Sequence, residues 1–272
     1  MKTIKLILLF VFVSAYSFAE VSVNEREALI ALYNSTQGDQ WNNSWNLNEP
    51  IENWYGVTVV DNKVVEINLH FNNLKGTIPT EIGDLIYLKS MNLGFNHLSG
   101  NMPTALGNLN SLKSLELFMN KLEGEIPNEI GNLTLLRTLK LYSNNLTGQI
   151  PASVGNLVHL KELMLGSNFL TGSIPAQIVS LNKLEVLSLI DNKLVGKVPV
   201  EIGQLHQLKE LVLSSNELTG TVPYQVTDLT NLNTFMVSDN NFDREYVSVI
   251  QGKGNINELI DFNAGTVITD ND

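Results

Sequence analysis

The chain contains no cysteine. That excludes disulfides, thiolate metal sites, a cysteine nucleophile and a lipid-modified N-terminal cysteine, so stability has to come from packing. Positive charge is scarce: 17 lysines and arginines stand against 28 aspartates and glutamates, a formal net charge of −11. Such an acidic surface argues against nucleic acid and anionic membranes, and is neutral towards a polar protein or glycan partner. Beyond residue 19 no apolar run is long enough to span a membrane. The four histidines, His70, His97, His159 and His206, form no metal-spaced pair. A nucleophile elbow, a phosphate loop and a paired-acid motif are all missing, so no enzyme, cofactor or metal is expected. Asp239-Asn240-Asn241 with Asp243 hints at calcium but lacks the glycine and closing glutamate of a calcium loop.

What the chain does have is a period. Asn72, Asn96, Asn120, Asn144, Asn168, Asn192, Asn216 and Asn240 follow one another every 24 residues. Around each runs the frame L-x-x-L-x-L-x-x-N-x-L-x-G-x-I-P. A fixed period of this length predicts a solenoid of stacked coils, not a globule around a cleft. In the third unit, Leu115 and Leu117 alternate with Glu116, the pattern of a strand with one buried face. Asn120 ends the strand. Its side chain carries two donors and two acceptors, enough to bond its own turn and the next coil, so stacked asparagines form a ladder. Gly124 permits a positive φ, Pro127 ends strand pairing, Ile130 and Leu133 fill the far side, and Gly131 allows close approach of coils. Of the chain's 8 prolines only Pro50 stands outside the repeat column that holds Pro79, Pro103, Pro127, Pro151, Pro175, Pro199 and Pro223.

Four segments follow. Residues 1–19 read as a secretory signal: Lys2 and Lys5, an unbroken apolar stretch from Leu6 to Val13, then Ser17-Phe18-Ala19. Cleavage is expected before Glu20, leaving the protein periplasmic, surface-held or secreted. Residues 20–63 form a cap. Asn24 to Asn34 predicts a helix started by a Ser22/Glu25 capping box, with Ala28, Leu29, Leu32 and Tyr33 as its apolar stripe. Trp41, Trp45, Trp54 and Tyr55 follow, the three tryptophans reading as a hydrophobic plug. Residues 64–242 hold seven full repeats and one partial, and 243–272 form a degenerate C-terminal cap and tail. Asn34, Asn42, Asn132 and Asn145 match the glycosylation sequon.

The L-x-G-x-I-P frame resembles the plant-type subfamily of leucine-rich repeats. The resemblance implies an α/β solenoid, a right-handed superhelix with a parallel concave β-sheet, short extra strands near the glycine–proline turn and short 3₁₀ or irregular convex segments. Eight coils at about 4.8 Å give a sheet on the order of 38 Å wide. The cap is similar to the plant cap with its C-x-W-x-G-V-x-C element, here Glu52 to Val59 with both cysteine positions replaced. The family includes receptor ectodomains and inhibitors of cell-wall-degrading enzymes. Lacking a kinase domain and a membrane span, this chain resembles the soluble members, and its cysteine-free cap fits a bacterial source.

Function belongs at positions the frame leaves free. Read down the two columns before the asparagine, the first four coils present Phe71, Phe95, Phe118, Met119 and Tyr142 as one band on the concave face. A contiguous aromatic surface marks a binding patch, although neighbouring rings also stabilise a sheet by stacking. A second column carries Lys89, Lys113, Arg137 and Lys161, electrostatic guides for an acidic partner unless Glu66, Glu116, Glu162 and Glu210 neutralise them. The expected activity is recognition of a protein or peptide, less readily a glycan, by a monomer. The alternatives are a structural or adhesion spacer of the cell envelope, and an ice-binding module, for which the outward residues are too irregular.

Overall fold

The computed structural model describes residues 20–243. The expected signal segment and the tail from residue 244 onward lie outside the described residues. A single apolar core runs from Val21 to Val237, built from the leucine columns, most of them with no exposed surface. Each coil contributes a three-residue strand to one long sheet. After Lys63–Asn68 come Ser90–Asn92, Ser114–Glu116, Thr138–Lys140, Glu162–Met164, Val186–Ser188, Glu210–Val212 and Thr234–Met236, every neighbour parallel and in register. The middle residue of each strand points into the core, as the alternation requires.

The two other sides of the coil follow from glycine and proline. Gly124 takes φ +73°, and short strands such as Lys121–Glu125 and Asn145–Thr147 pair in a lateral sheet beside it. After Pro127 (φ −67°) the chain enters the 3₁₀ helix Asn128–Asn132, closed by the Ile130 N–H donating to the Pro127 carbonyl at 3.0 Å. Gly131, inside that helix, lets the next coil approach closely: a Cβ there would lie 2.5 Å from the Ser153 carbonyl oxygen.

The asparagine ladder forms, with one difference of direction. Asn144 reaches to the coil before it rather than the one after. Its Oδ1 accepts the Leu122 N–H at 3.0 Å, and its Nδ2 donates to the carbonyls of Leu117 (3.0 Å) and Leu141 (2.9 Å). The ladder extends into the cap, where Asn72 Oδ1 accepts the Asn43 N–H at 2.7 Å.

Helix α1 (Val23–Ser35) starts at Ser22, whose hydroxyl accepts the Glu25 N–H at 3.3 Å and donates to the Glu25 carboxylate at 2.6 Å. Glu25 is buried, and its second oxygen accepts the Val64 N–H at 3.0 Å, which fastens the helix to the first repeat. Trp41, Trp45 and Trp54 are buried with centroid spacings of 4.8 Å between successive rings. Each indole N–H donates to a backbone carbonyl: Trp41 to Thr36, Trp45 to Tyr55, Trp54 to Asn46 and Glu49. Rings with both surface and donor satisfied form a plug. Tyr55, next to Trp54, is exposed. The cap also supplies an unexpected strand, Val57–Val60, folded back on Lys63–Asn68 through Asp61 and Asn62, both at positive φ, so that it covers the first edge of the sheet. No helix among the described residues is long and apolar enough to cross a membrane.

Candidate recognition surface

The sheet strand of each coil ends four residues before the ladder asparagine. One more leucine, or Val237 in the last coil, turns inward, the next residue points out, and the residue immediately before the asparagine bends the chain. That last position is left-handed in every coil: Phe71 (φ 54°), Phe95 (57°), Met119 (50°), Ser143 (56°), Ser167 (52°), Asp191 (55°), Ser215 (57°) and Asp239 (52°). Stacking holds the bend. The Phe95 N–H donates to the Phe118 carbonyl at 2.9 Å, and the Asn96 N–H to the Met119 carbonyl at 3.2 Å.

This placement corrects the expected band. Phe71, Phe95 and Met119 are not strand residues of the sheet face; they stand on a bend at its end margin, 61%, 46% and 42% exposed. With Asn42, Asn73 and His97 they line an open groove of about 570 Å³. His97 itself opens a short lateral strand, His97–Asn101. Phe118 and Tyr142 are half-buried on the inner side of the bend, stacked at 4.9 Å with 11° between their planes. Burial pushes the Tyr142 phenol pKa up, partly opposed by nearby Lys140.

The two rows are joined by His70, which sequence reasoning did not include. Its ring centroid lies 5.7 Å from Phe118, 6.0 Å from Phe95 and 6.4 Å from Phe71, and Phe71 lies 5.0 Å from Phe95. The expected patch is therefore contiguous, as one cluster in two rows. The signal for His70 was its position, the same as that of Phe118 and Tyr142 in their coils.

The cation column does not join this cluster. Lys89, Lys113, Arg137 and Lys161 immediately precede the sheet strands and are exposed at the start margin. Five or six residues, about 17–20 Å of extended chain, separate Lys89, Lys113 and Arg137 from the aromatic residue that the same coil gives to the cluster, and the coil of Lys161 gives it none. The expected compensation is also rearranged. Glu185, in the same column, receives Lys161 at 2.5 Å and Lys209 at 2.6 Å, and those two bonds hold its pKa down at about 2. Glu116 and Glu162 instead flank Lys140, at 3.9 and 3.1 Å. Burial lowers the Lys140 pKa, but the bond from Glu162 and the charge of Glu116 outweigh it, and the net shift is upward.

Comparison with known proteins agrees with this architecture. The pattern of the leucine-rich repeat region family matches residues 88–194, and that of the single leucine-rich repeat matches 63–85 and 207–229. A probable leucine-rich repeat receptor-like protein kinase of Arabidopsis thaliana is 39% identical over 88 residues, which are 32% of this chain and 9% of that protein. Among solved structures, the PEPR1–AtPEP1 complex has a TM-score of 0.74 at 33% identity, over 80% of this chain and 31% of that one. The plant peptide hormone receptor RGFR1, in complex with RGF2, gives 0.62 at 36% identity, over 62% and 27%. A plant ice-binding protein gives 0.66 at 26%, over 82% and 88%. The chain thus spans less than a third of the matched chain in each of the first two structures. The matches show the fold, a leucine-rich-repeat solenoid.

Proposed function

We propose, from the premise that this chain is a solenoid of plant-type leucine-rich repeats, that it is an exported recognition protein. It takes a peptide or protein segment on the aromatic cluster of its first four coils. One observation carries the reading. The left-handed position before the ladder asparagine is filled by serine or aspartate in the last five coils, and by Phe71, Phe95 and Met119 in the first three. Serine and aspartate leave the position polar and compact. Large apolar side chains there combine a disfavoured backbone with exposed apolar surface, a combination that folding alone does not call for. The stacked solenoid holds the surface ready, so little ordering entropy opposes binding. The RGFR1 complex, a peptide hormone receptor with its ligand, is a neighbour in which this fold serves peptide recognition.

The test is capture from host envelope extract and culture supernatant, with the parent run beside a folded Phe95→Asp/Phe118→Asp variant. A protein or peptide retained by the parent and lost by the variant supports the reading. Equal retention by both would transfer the function to a structural spacer. Ice binding finds support in the fold match to the plant ice-binding protein. The outward strand positions oppose it: Glu66, Ser90, Ser114, Thr138, Glu162 and Val186 succeed one another without a repeated threonine. Ice growth in the presence of the protein is expected to be ordinary.

A further inference from the structure

We infer that the start margin of the sheet in the N-terminal half is a second recognition subsite, which takes an acidic peptide segment of a protein partner. Lys89, Lys113 and Arg137 occupy one position in three consecutive coils, at steps of about 4.8 Å, and all three are exposed. Among the described residues no carboxylate lies within ion-pair distance of any of them.

Later coils show the same column neutralised. Glu185 stands between Lys161 and Lys209 and bonds both. Like charges on adjacent strands are destabilising, and a chain with net charge −11 has carboxylates to spare. In the first half none is brought to the column. Glu116 and Glu162 are held by Lys140, and Glu66 accepts from the Thr58 hydroxyl at 3.4 Å. Beside each cation the strand begins with a hydroxyl residue, Ser90, Ser114 or Thr138. Ser114 already donates to Glu116 at 3.0 Å, while the hydroxyls of Ser90 and Thr138 have no hydrogen-bond partner among the described residues. Ammonium, guanidinium and hydroxyl donors in a row are the donor set that carboxylates take.

The three cations span two coil steps, about 10 Å, the length of about three to four extended residues. A run of that length with two or three acidic side chains matches them. This subsite lies at the opposite margin of the sheet from the aromatic cluster and does not depend on what the cluster binds.

The probe is a fluorescein-labelled decaglutamate titrated by anisotropy into the purified protein at low and at physiological salt. Saturable, salt-sensitive binding is expected. It should weaken about tenfold in Lys89→Gln/Lys113→Gln/Arg137→Gln, and hold in both Lys161→Gln/Lys209→Gln and Phe95→Ser. Absence of saturable binding, or equal loss from the Lys161→Gln/Lys209→Gln control, would overturn the inference. So would a preference for polygalacturonate at matched charge, which would assign the strip to an acidic polysaccharide. Failure of the aromatic cluster as a site would leave these titrations unchanged, so the two readings fail separately.

Discussion

The ring of Phe118 lies over the backbone of Gly94, one coil away. A Cβ built on Gly94 would stand 2.6 Å from two of the ring carbons. The missing side chain lets Phe118 lean back across its neighbour and come within 5.7 Å of His70, two coils away. The inner aromatic row is thereby continuous although the second coil contributes no ring to it.

Gly94→Ala tests this relationship. Gly94 is not among the residues at positive φ, so alanine meets a steric problem and no backbone one. The ring of Phe118 has to swing outward, with loss of its contact to His70, at about 0.5–1.5 kcal/mol for a ring pair. The expected outcome is a folded protein of slightly lower melting temperature. In its NMR spectrum the His70 ring protons lose the ring-current shift that Phe118 imposes. Unmoved His70 resonances would mean that the ring accommodates the methyl group in place.

Met119→Asn should have the opposite sign. Met119 holds φ 50° and is 42% exposed, and it makes no ring pair that the change would break. Asparagine tolerates the left-handed region better than an unbranched apolar residue, by about 1 kcal/mol. The melting temperature is expected to rise by about 2–4 °C while capture of the partner weakens. A gain in stability coupled to a loss of binding separates a functional residue from a structural one. A drop in melting temperature would instead make Met119 a packing residue.

Most of the fold was legible because the period is strict. Once Asn120 and Leu115 are placed, every equivalent position follows, and the coils, the ladder and the proline-led 3₁₀ helices appear where expected. The placement of the candidate site was less legible. Alternation holds only as far as the last strand leucine, and a sequence does not display φ. A hint was present: Ser143, Ser167, Asp191, Ser215 and Asp239 are all residues at home in a bend. The edge hairpin went unseen for a similar reason, since Asp61-Asn62 between two valine-rich runs is itself a turn signal. The partner of Lys161 was sought beside the column, at Glu162 of its own coil, whereas Glu185 lay in the column itself, one coil on.

Asn144→Ala should be costly. The change removes the acceptor of the Leu122 N–H and the donor that serves the Leu117 and Leu141 carbonyls, all of them buried. The Leu122 N–H is left unpaired, at a cost of about 1–3 kcal/mol, while the Leu117 and Leu141 carbonyls each keep one bond, from Asn120 and Asn168. Urea unfolding is expected to show a lower midpoint, against an unchanged midpoint for the exposed control Thr147→Ala. An unchanged midpoint for Asn144→Ala would remove the ladder from the account of stability.

Glu185 gives the chain an acid-sensitive link between coils. Its carboxylate bonds Lys161 and Lys209, and in the folded state its pKa falls from an ordinary 4.5 to about 2. A depressed folded pKa means that the unfolded chain binds the proton more readily, so the contribution to stability is present above about 4.5 and lost as pH falls towards 2. Glu185→Gln keeps the shape of the side chain and removes the charge. The difference in melting temperature between parent and variant is therefore expected to be largest above pH 4.5 and to close as pH approaches 2. Both lysines are about half exposed, so added salt should shrink the difference at every pH. A difference independent of pH would assign the effect of the substitution to packing, and would leave Lys161 and Lys209 as unpaired in solution as Lys89, Lys113 and Arg137 are in the structure.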